Sequence, residues 1–218
     1  MGPFIYKRGC LKMIKKKTKS ASKPIKNVKD VKRMIAYLEA SSERFGKRNS
    51  ILFQLGITTG YRAGDLVELT VGDIKEAIKR DEFIILENKK VNTKNIRKKN
   101  IRPRRVPLSR KLKPKLKQYI SDKEDYEYMF KSNKGDSHIE VDTISKILKK
   151  AGEYLGLYYT TAHCMRKTYA YKIYIDSGND IIAIKEMLGH SSIEETKLYL
   201  DLERLKFDNY SRSVDDFL

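Results

Sequence analysis

The sequence predicts a mainly α-helical domain carrying one small antiparallel β-sheet (α+β). Apolar residues recur at three- and four-residue steps through most of the chain, and only two short segments read as strands. A polar, strongly basic stretch separates those two strands, so they pair as a hairpin.

Folded sequence starts near Asn27. Val28, Val31, Ile35 and Leu38 repeat at helical spacing, which predicts an amphipathic helix ending near Phe45-Gly46. Asn49 or Ser50 can cap a second helix through Ile51, Leu52, Leu55 and Ile57 to Gly60, and a short helical segment follows at Ala63–Glu68. Phe83–Glu87 and Arg104–Leu108 are the strands, with Asn88–Pro103 between them as a long loop of the kind that is functional or disordered. The remainder is helical: Leu112–Ile120, Val141–Tyr154, Thr161–Ile175, Asp180–Leu188 and Ile193–Leu200. Ser177-Gly178 stops the helix that begins at Thr161. Ser192 with Glu195 forms a Ser-x-x-Glu capping box that starts the last one.

This divides the chain into a basic, flexible arm (residues 1–27), a folded domain (28–203) and a C-terminal tail (204–218). The tail ends Val214-Asp215-Asp216-Phe217-Leu218, acidic with an apolar end, and reads either as a frayed terminus or as a segment that docks onto a neighbouring subunit. No run of apolar residues reaches membrane-spanning length, so no membrane association is expected. Cys10 and Cys164 are too few for a disulfide framework and read as free thiols of a reducing, cytoplasmic setting.

Charge points to the partner. Forty-seven Lys and Arg against twenty-eight Asp and Glu leave a net charge of +19. Residues 1–27 hold nine basic residues and no acid, and residues 89–117 hold fourteen and no acid. Positive fields of that density suit a polyanion, because phosphates release counterions to them.

The inventory of reactive side chains narrows the chemistry. His138, His163 and His190 are the histidines, with no Cys-x-x-Cys, no His-Glu-x-x-His and no acidic cluster beside them. The phosphate-cradling glycine motifs of nucleotide-binding proteins are absent as well. Cutting a phosphodiester without a metal needs an in-line nucleophile, fixed cations for the non-bridging oxygens and a proton for the leaving oxygen. Arginine meets the second need with a planar fork that stays charged; lysine or histidine meets the third. No metal and no cofactor are expected. Taken singly, one tyrosine among fourteen says little, so only a joint arrangement can identify a site.

Three boxes supply one. Thr58-Thr59-Gly60-Tyr61-Arg62-Ala63-Gly64-Asp65-Leu66 is followed by Leu69-Thr70-x-x-Asp73-Ile74. His163-Cys164-Met165-Arg166 comes second, and Leu188-Gly189-His190-Ser191-Ser192 with Thr196 and Tyr199 third. In order and spacing they resemble the tyrosine recombinase (phage integrase) family over roughly residues 28–203. The resemblance implies the DNA breaking-rejoining catalytic fold and a recombinase acting on double-stranded DNA through a 3′-phosphotyrosine, with neither metal nor ATP.

It also implies roles. Arg62 and Arg166 clamp the scissile phosphate, His163 and His190 add hydrogen bonds and manage protons, and Tyr199 attacks. Asp65 holds the Arg62 neighbourhood in place. The general-acid lysine of the family sits on the hairpin, which places it at Lys89, with Lys90 and Lys94 as rivals; Lys90, Lys94, Arg104 and Arg105 are also expected to touch DNA. This hairpin is longer than the family pattern. Family members usually carry a separate DNA-clamping helical domain before the catalytic one, so this chain is expected to be either a minimal enzyme or a catalytic fragment, with the basic arm as a partial substitute. By the same analogy the working form is a homo-oligomer, a tetramer on two duplexes. Two other readings are relaxation of supercoils by the same chemistry, as in type IB topoisomerases, and a DNA-binding module without activity.

Overall fold

The computed structural model describes residues 22–86 and 103–202. The first helix, α1 (Val28–Ala40), is capped by Asn27, whose side chain accepts the Lys29 N–H at 2.8 Å. It ends earlier than its apolar spacing suggests. Ser41 Oγ donates to the Leu38 carbonyl at 2.9 Å, and Ser42 Oγ accepts the Phe45 N–H at 3.1 Å. Such side-chain bonds compete with the helical ladder. The turn they make lets α2 (Gly46–Thr59) start ahead of the expected cap. Asn49 sits inside α2, and its side-chain oxygen accepts Nε and Nη2 of the buried Arg48 at 3.2 and 3.0 Å instead of capping a backbone N–H. Gly46 permits the entry, since a Cβ there would meet the Glu39 carbonyl oxygen at 2.0 Å.

Helix α2 runs through the centre, with Phe53 and Leu55 fully buried. Each such side chain stabilises the fold by about 1.5–3 kcal/mol through removal of apolar surface from water. A short α3 (Ala63–Val67) follows. Next comes α4 (Val71–Arg80), which was not anticipated. Thr70 starts it with a capping box: Thr70 Oγ1 accepts the Asp73 N–H at 3.2 Å, and Asp73 Oδ2 accepts the Thr70 N–H at 2.8 Å.

Strands β1 (Glu82–Ile85) and β2 (Arg104–Pro107) pair antiparallel, with Phe83 opposite Val106 and both buried. Beyond α5 (Lys113–Tyr119), an irregular run bonds back to the start of α4: Met129 N–H to the Leu69 carbonyl and Val71 N–H to the Glu127 carbonyl, both at 2.8 Å. The chain then forms α6 (Val141–Leu155), α7 (Ala162–Asp176), α8 (Ile181–Leu188) and α9 (Ile193–Leu200). The expected mainly helical fold with a small antiparallel sheet is what is observed.

Two apolar cores divide these elements. The large one unites α1 to α7 and the sheet. The small one holds Ala170 and Tyr174 of α7, Ile184 and Leu188 of α8 and Leu200 of α9, with Tyr199 packed at its edge. Residues 22–27, the end of the segment read as an arm, form a strap across α7. Ile25 is buried there, and its N–H donates to Thr168 Oγ1 at 2.9 Å. Residues 1–21, the hairpin tip and the tail from 203 onward lie outside the described residues.

Candidate active site

The site is organised around the Gly60 carbonyl. Helix α2 ends there in the left-handed region (φ 64°), with the Gly60 N–H bonded to the Gly56 carbonyl. A side chain would be excluded on two counts: that φ disfavours a Cβ, and the Cβ would lie 2.3 Å from the Tyr169 ring. One turn earlier, a Cβ on Gly56 would meet the Met165 sulfur at 2.6 Å. These two glycines bring α7 close against α2. Arg166, buried on α7, donates Nη1 to the Gly60 carbonyl at 2.7 Å. Arg104 of β2 donates Nη2 to the same oxygen at 3.4 Å and Nη1 to the Tyr169 hydroxyl at 3.2 Å. Two residues past Gly60, Arg62 stands half-buried in extended conformation as the N-terminal cap of α3.

Helix α7 carries the second set. Cys164 and Met165 face the core, while His163, Arg166 and Lys167, at relative positions i, i+3 and i+4, share the opposite side. The His163 imidazole reaches the surface, but partial withdrawal from water, then the Lys167 and Arg166 charges, lower its pKa.

His190 and Tyr199 come from α8 and α9. Gly189 ends α8 in the left-handed region, and the His190 N–H closes the cap on the Lys185 carbonyl at 3.0 Å. Ser192 caps α9 by accepting the Glu195 N–H at 3.1 Å, as expected. The returning half of the predicted box goes elsewhere, because Glu195 accepts the backbone N–H and hydroxyl of Ser191, each at 2.9 Å. Thr196, fully buried, places Oγ1 3.2 Å from the Ser192 carbonyl and 3.0 Å from His190 Nδ1. One hydroxyl proton serves both contacts only if Thr196 donates to the carbonyl and accepts from Nδ1–H. The neutral imidazole then has its lone pair on Nε2. Burial lowers the His190 pKa first, Glu195 opposes this, and Arg166, Arg62 and Lys167 lower it further. The Tyr199 ring stands edge-on to His190 with centroids 4.9 Å apart, and Lys167 Nζ lies 4.8 Å from its centroid.

Side chains from three distant segments therefore share one electropositive place. The model of the phage integrase family matches residues 27–205. The chain belongs to the phage integrase family. It is 28% identical over 180 residues to the "Probable integrase/recombinase YoeC" of Bacillus subtilis, covering 83% of this chain and 90% of that protein. It is 27% identical over 155 residues to the tyrosine recombinase XerA of Saccharolobus solfataricus, covering 71% of this chain and 46% of that one. The chain thus spans most of the first relative and about half of the second. Among solved structures, a XerA recombinase superposes with a TM-score of 0.60 at 24% identity, over 85% of this chain and 61% of that one. The XerH recombinase, solved bound to its difH substrate, superposes at 0.55 and 22%, over 81% and 50%. These likenesses show the fold.

In this integrase-family chain, the structure gathers Arg62, His163, Arg166, His190 and Tyr199. Asp65 lies in the first turn of α3, in a depression it shares with Tyr61, Asp73 and Glu82. Arg105 is exposed and pairs with Glu82 across the sheet at 3.0 Å. Arg104, expected on DNA, is half-buried and joins β2 to Gly60 and Tyr169. Lys89, Lys90 and Lys94 lie outside the described residues. Sequence reasoning missed Lys167 and gave no role to Thr196. Their spacing was the available signal: Lys167 one turn after His163, and Thr196 one turn before Tyr199.

Proposed function

We propose that this chain is a site-specific DNA recombinase or integrase that cleaves and rejoins double-stranded DNA through a 3′-phosphotyrosine on Tyr199. The observation that carries this reading is that the charges of Arg62 and Arg166 reach His190, whose ring stands against that of Tyr199. In the proposed step, Tyr199 Oη forms a bond to phosphorus and loses its proton, while the bond to the 5′-oxygen breaks and that oxygen is protonated. Arg62 and Arg166 neutralise the non-bridging oxygens; donors of this kind are each worth about 10²–10³ in rate. Neutral His163 and His190 accept and return protons. The hairpin lysine, Lys89 with Lys90 and Lys94 as rivals, protonates the leaving oxygen, and Asp65 keeps the Arg62 turn in place. The phosphotyrosine conserves the energy of the broken bond, so rejoining is the reverse attack by a 5′-hydroxyl, with no metal or ATP.

On the same reading the arm before residue 27 and Lys90, Lys94, Arg104 and Arg105 bind DNA phosphates. The working species is a homo-oligomer on DNA, a tetramer across two duplexes, in which residues 204–218 dock onto a neighbouring subunit. Its place is the cytoplasm, where it meets DNA.

The test starts with nicked duplexes of randomised sequence, from which covalent adducts select the target site. Two differently labelled duplexes carrying that site are then incubated with the protein. Recombinant products joining the two labels are expected. Relaxation of supercoiled plasmid without exchange would favour the topoisomerase reading, and binding without any adduct would leave a DNA-binding module.

A further inference from the structure

Lys167 follows Arg166 on α7 and is half-buried, and its ammonium lies over the face of the Tyr199 ring, 4.8 Å from the centroid. An aromatic face is the negative side of the ring quadrupole, so a cation there fixes the ring's orientation. His190 contacts the same ring edge-on at 4.9 Å, which leaves the phenol gripped between α7 and the turn that precedes α9. Packing alone gives α9 a modest anchor, because the core beneath it is the small one.

The acid whose charge acts on this ammonium is also engaged elsewhere. Asp201, which ends α9 in the left-handed region, pairs with Lys23 at 3.6 Å and Lys26 at 3.5 Å, and its backbone carbonyl accepts Lys26 Nζ at 2.8 Å. The strap that supplies these lysines is pinned by Ile25 to Thr168, the residue beside Lys167. Asp201 divides its charge among Lys23, Lys26 and Lys167, whereas the Tyr199 ring lies directly against the Lys167 ammonium.

We propose that Lys167 is the positioning residue of the Tyr199 nucleophile: it holds the phenol ring against His190 and favours its ionised form as attack begins. The inference rests on the reading of Tyr199 as nucleophile. The titratable and charged groups facing Lys167 are His163 and Arg166 on its own helix, His190 on the α8–α9 turn, Asp201 at the end of α9 and Lys23 on the strap. Burial lowers the Lys167 pKa, with Asp201 opposing and Lys23 assisting. A guanidinium at this position keeps its charge to higher pH.

Single-turnover cleavage of a nicked duplex is measured from pH 6 to 10 for the full chain and for Lys167→Met, Lys167→Arg and Tyr199→Phe, with DNA affinity and thermal midpoint recorded for each. Lys167→Gln replaces the Met variant if that variant does not fold. Lys167→Met is expected to cleave about tenfold more slowly at neutral pH, and its alkaline limb to move up by about one pH unit, the size of a single cation's effect on a phenol. Lys167→Arg is expected to restore most of the rate, with DNA affinity within about twofold throughout. Unchanged rate and profile would overturn the proposal. So would a slower rate with an unshifted profile and no rescue by Arg, which marks a purely structural role, or a loss accounted for by DNA affinity. An adduct that persists in Tyr199→Phe would instead remove the nucleophile assignment, whatever Lys167 does.

Discussion

His190 Nδ1 lies 3.0 Å from Thr196 Oγ1, and that hydroxyl in turn reaches the Ser192 carbonyl at 3.2 Å. The helix that carries Tyr199 therefore also selects the tautomer of the histidine beside it. Thr196→Val keeps the buried shape and removes the acceptor. Cleavage is expected to fall by about tenfold, the worth of one oriented hydrogen bond of about 1–1.5 kcal/mol, with DNA affinity unchanged. Rate and affinity measured on the same nicked duplex check this; an unaltered rate would show that Thr196 does not orient His190.

Both histidines of the candidate site, His163 and His190, titrate below their ordinary value of 6.5 in the folded protein, chiefly through burial. The unfolded chain then binds more protons than the folded one between the lowered values and 6.5, so stability rises with pH in that window. This contribution is complete above pH 6.5 and is lost as pH falls through the folded values. Thermal midpoints of the DNA-free protein at pH 7.5 and pH 5.5 are expected to show a drop on acidification, and a smaller drop in a His163→Asn, His190→Asn double variant. An equal drop in both would assign the acid sensitivity to other groups.

Gly60→Ala meets two obstacles, a left-handed backbone and the Tyr169 ring 2.3 Å from the new methyl. Urea denaturation is expected to show a loss of about 2–4 kcal/mol. Cleavage should fall further than stability alone explains, since the Gly60 carbonyl orients Arg166 and Arg104. A near-neutral variant would mean that α7 can move away from α2 without harm to the site.

The division into two cores predicts uneven mobility. His190 and Tyr199 are carried by α8 and α9 over the small core, whereas Arg62 and Arg166 are anchored on the large one. Amide hydrogen exchange in α8 and α9 is expected to be faster than in α2, and to slow when DNA binds. Equal protection of all three helices in the free protein would contradict the division.

Much of this was legible in the sequence. Helical periodicity located most helices, because each buries one apolar stripe, and the three boxes named the residues that meet. The end of α1 was misplaced, since Val28, Val31, Ile35 and Leu38 report burial but not the serine bonds that stop the helix. The start of α2 was misplaced because Asn49 has the chemistry of a cap yet serves Arg48. Helix α4 was overlooked although Thr70-x-x-Asp73 and the buried Val71, Ile74 and Ala77 mark it; its capping acid is Asp where Glu or Gln is the usual signature. In the site, the contact between Lys167 and Tyr199 and the engagement of Arg104 by Gly60 depend on how α7 lies against α2 and α9. Those are long-range relations, and local spacing carries little of them.

Whether Tyr199 forms the bond to DNA is read from the identity of the linked amino acid. The protein is trapped on a nicked duplex, digested with protease and nuclease, and the nucleotide-bearing peptide is sequenced by mass spectrometry. The predicted result is a 3′-phosphodiester on Tyr199. The same modification on another tyrosine, or on a serine, would remove Tyr199 as the nucleophile.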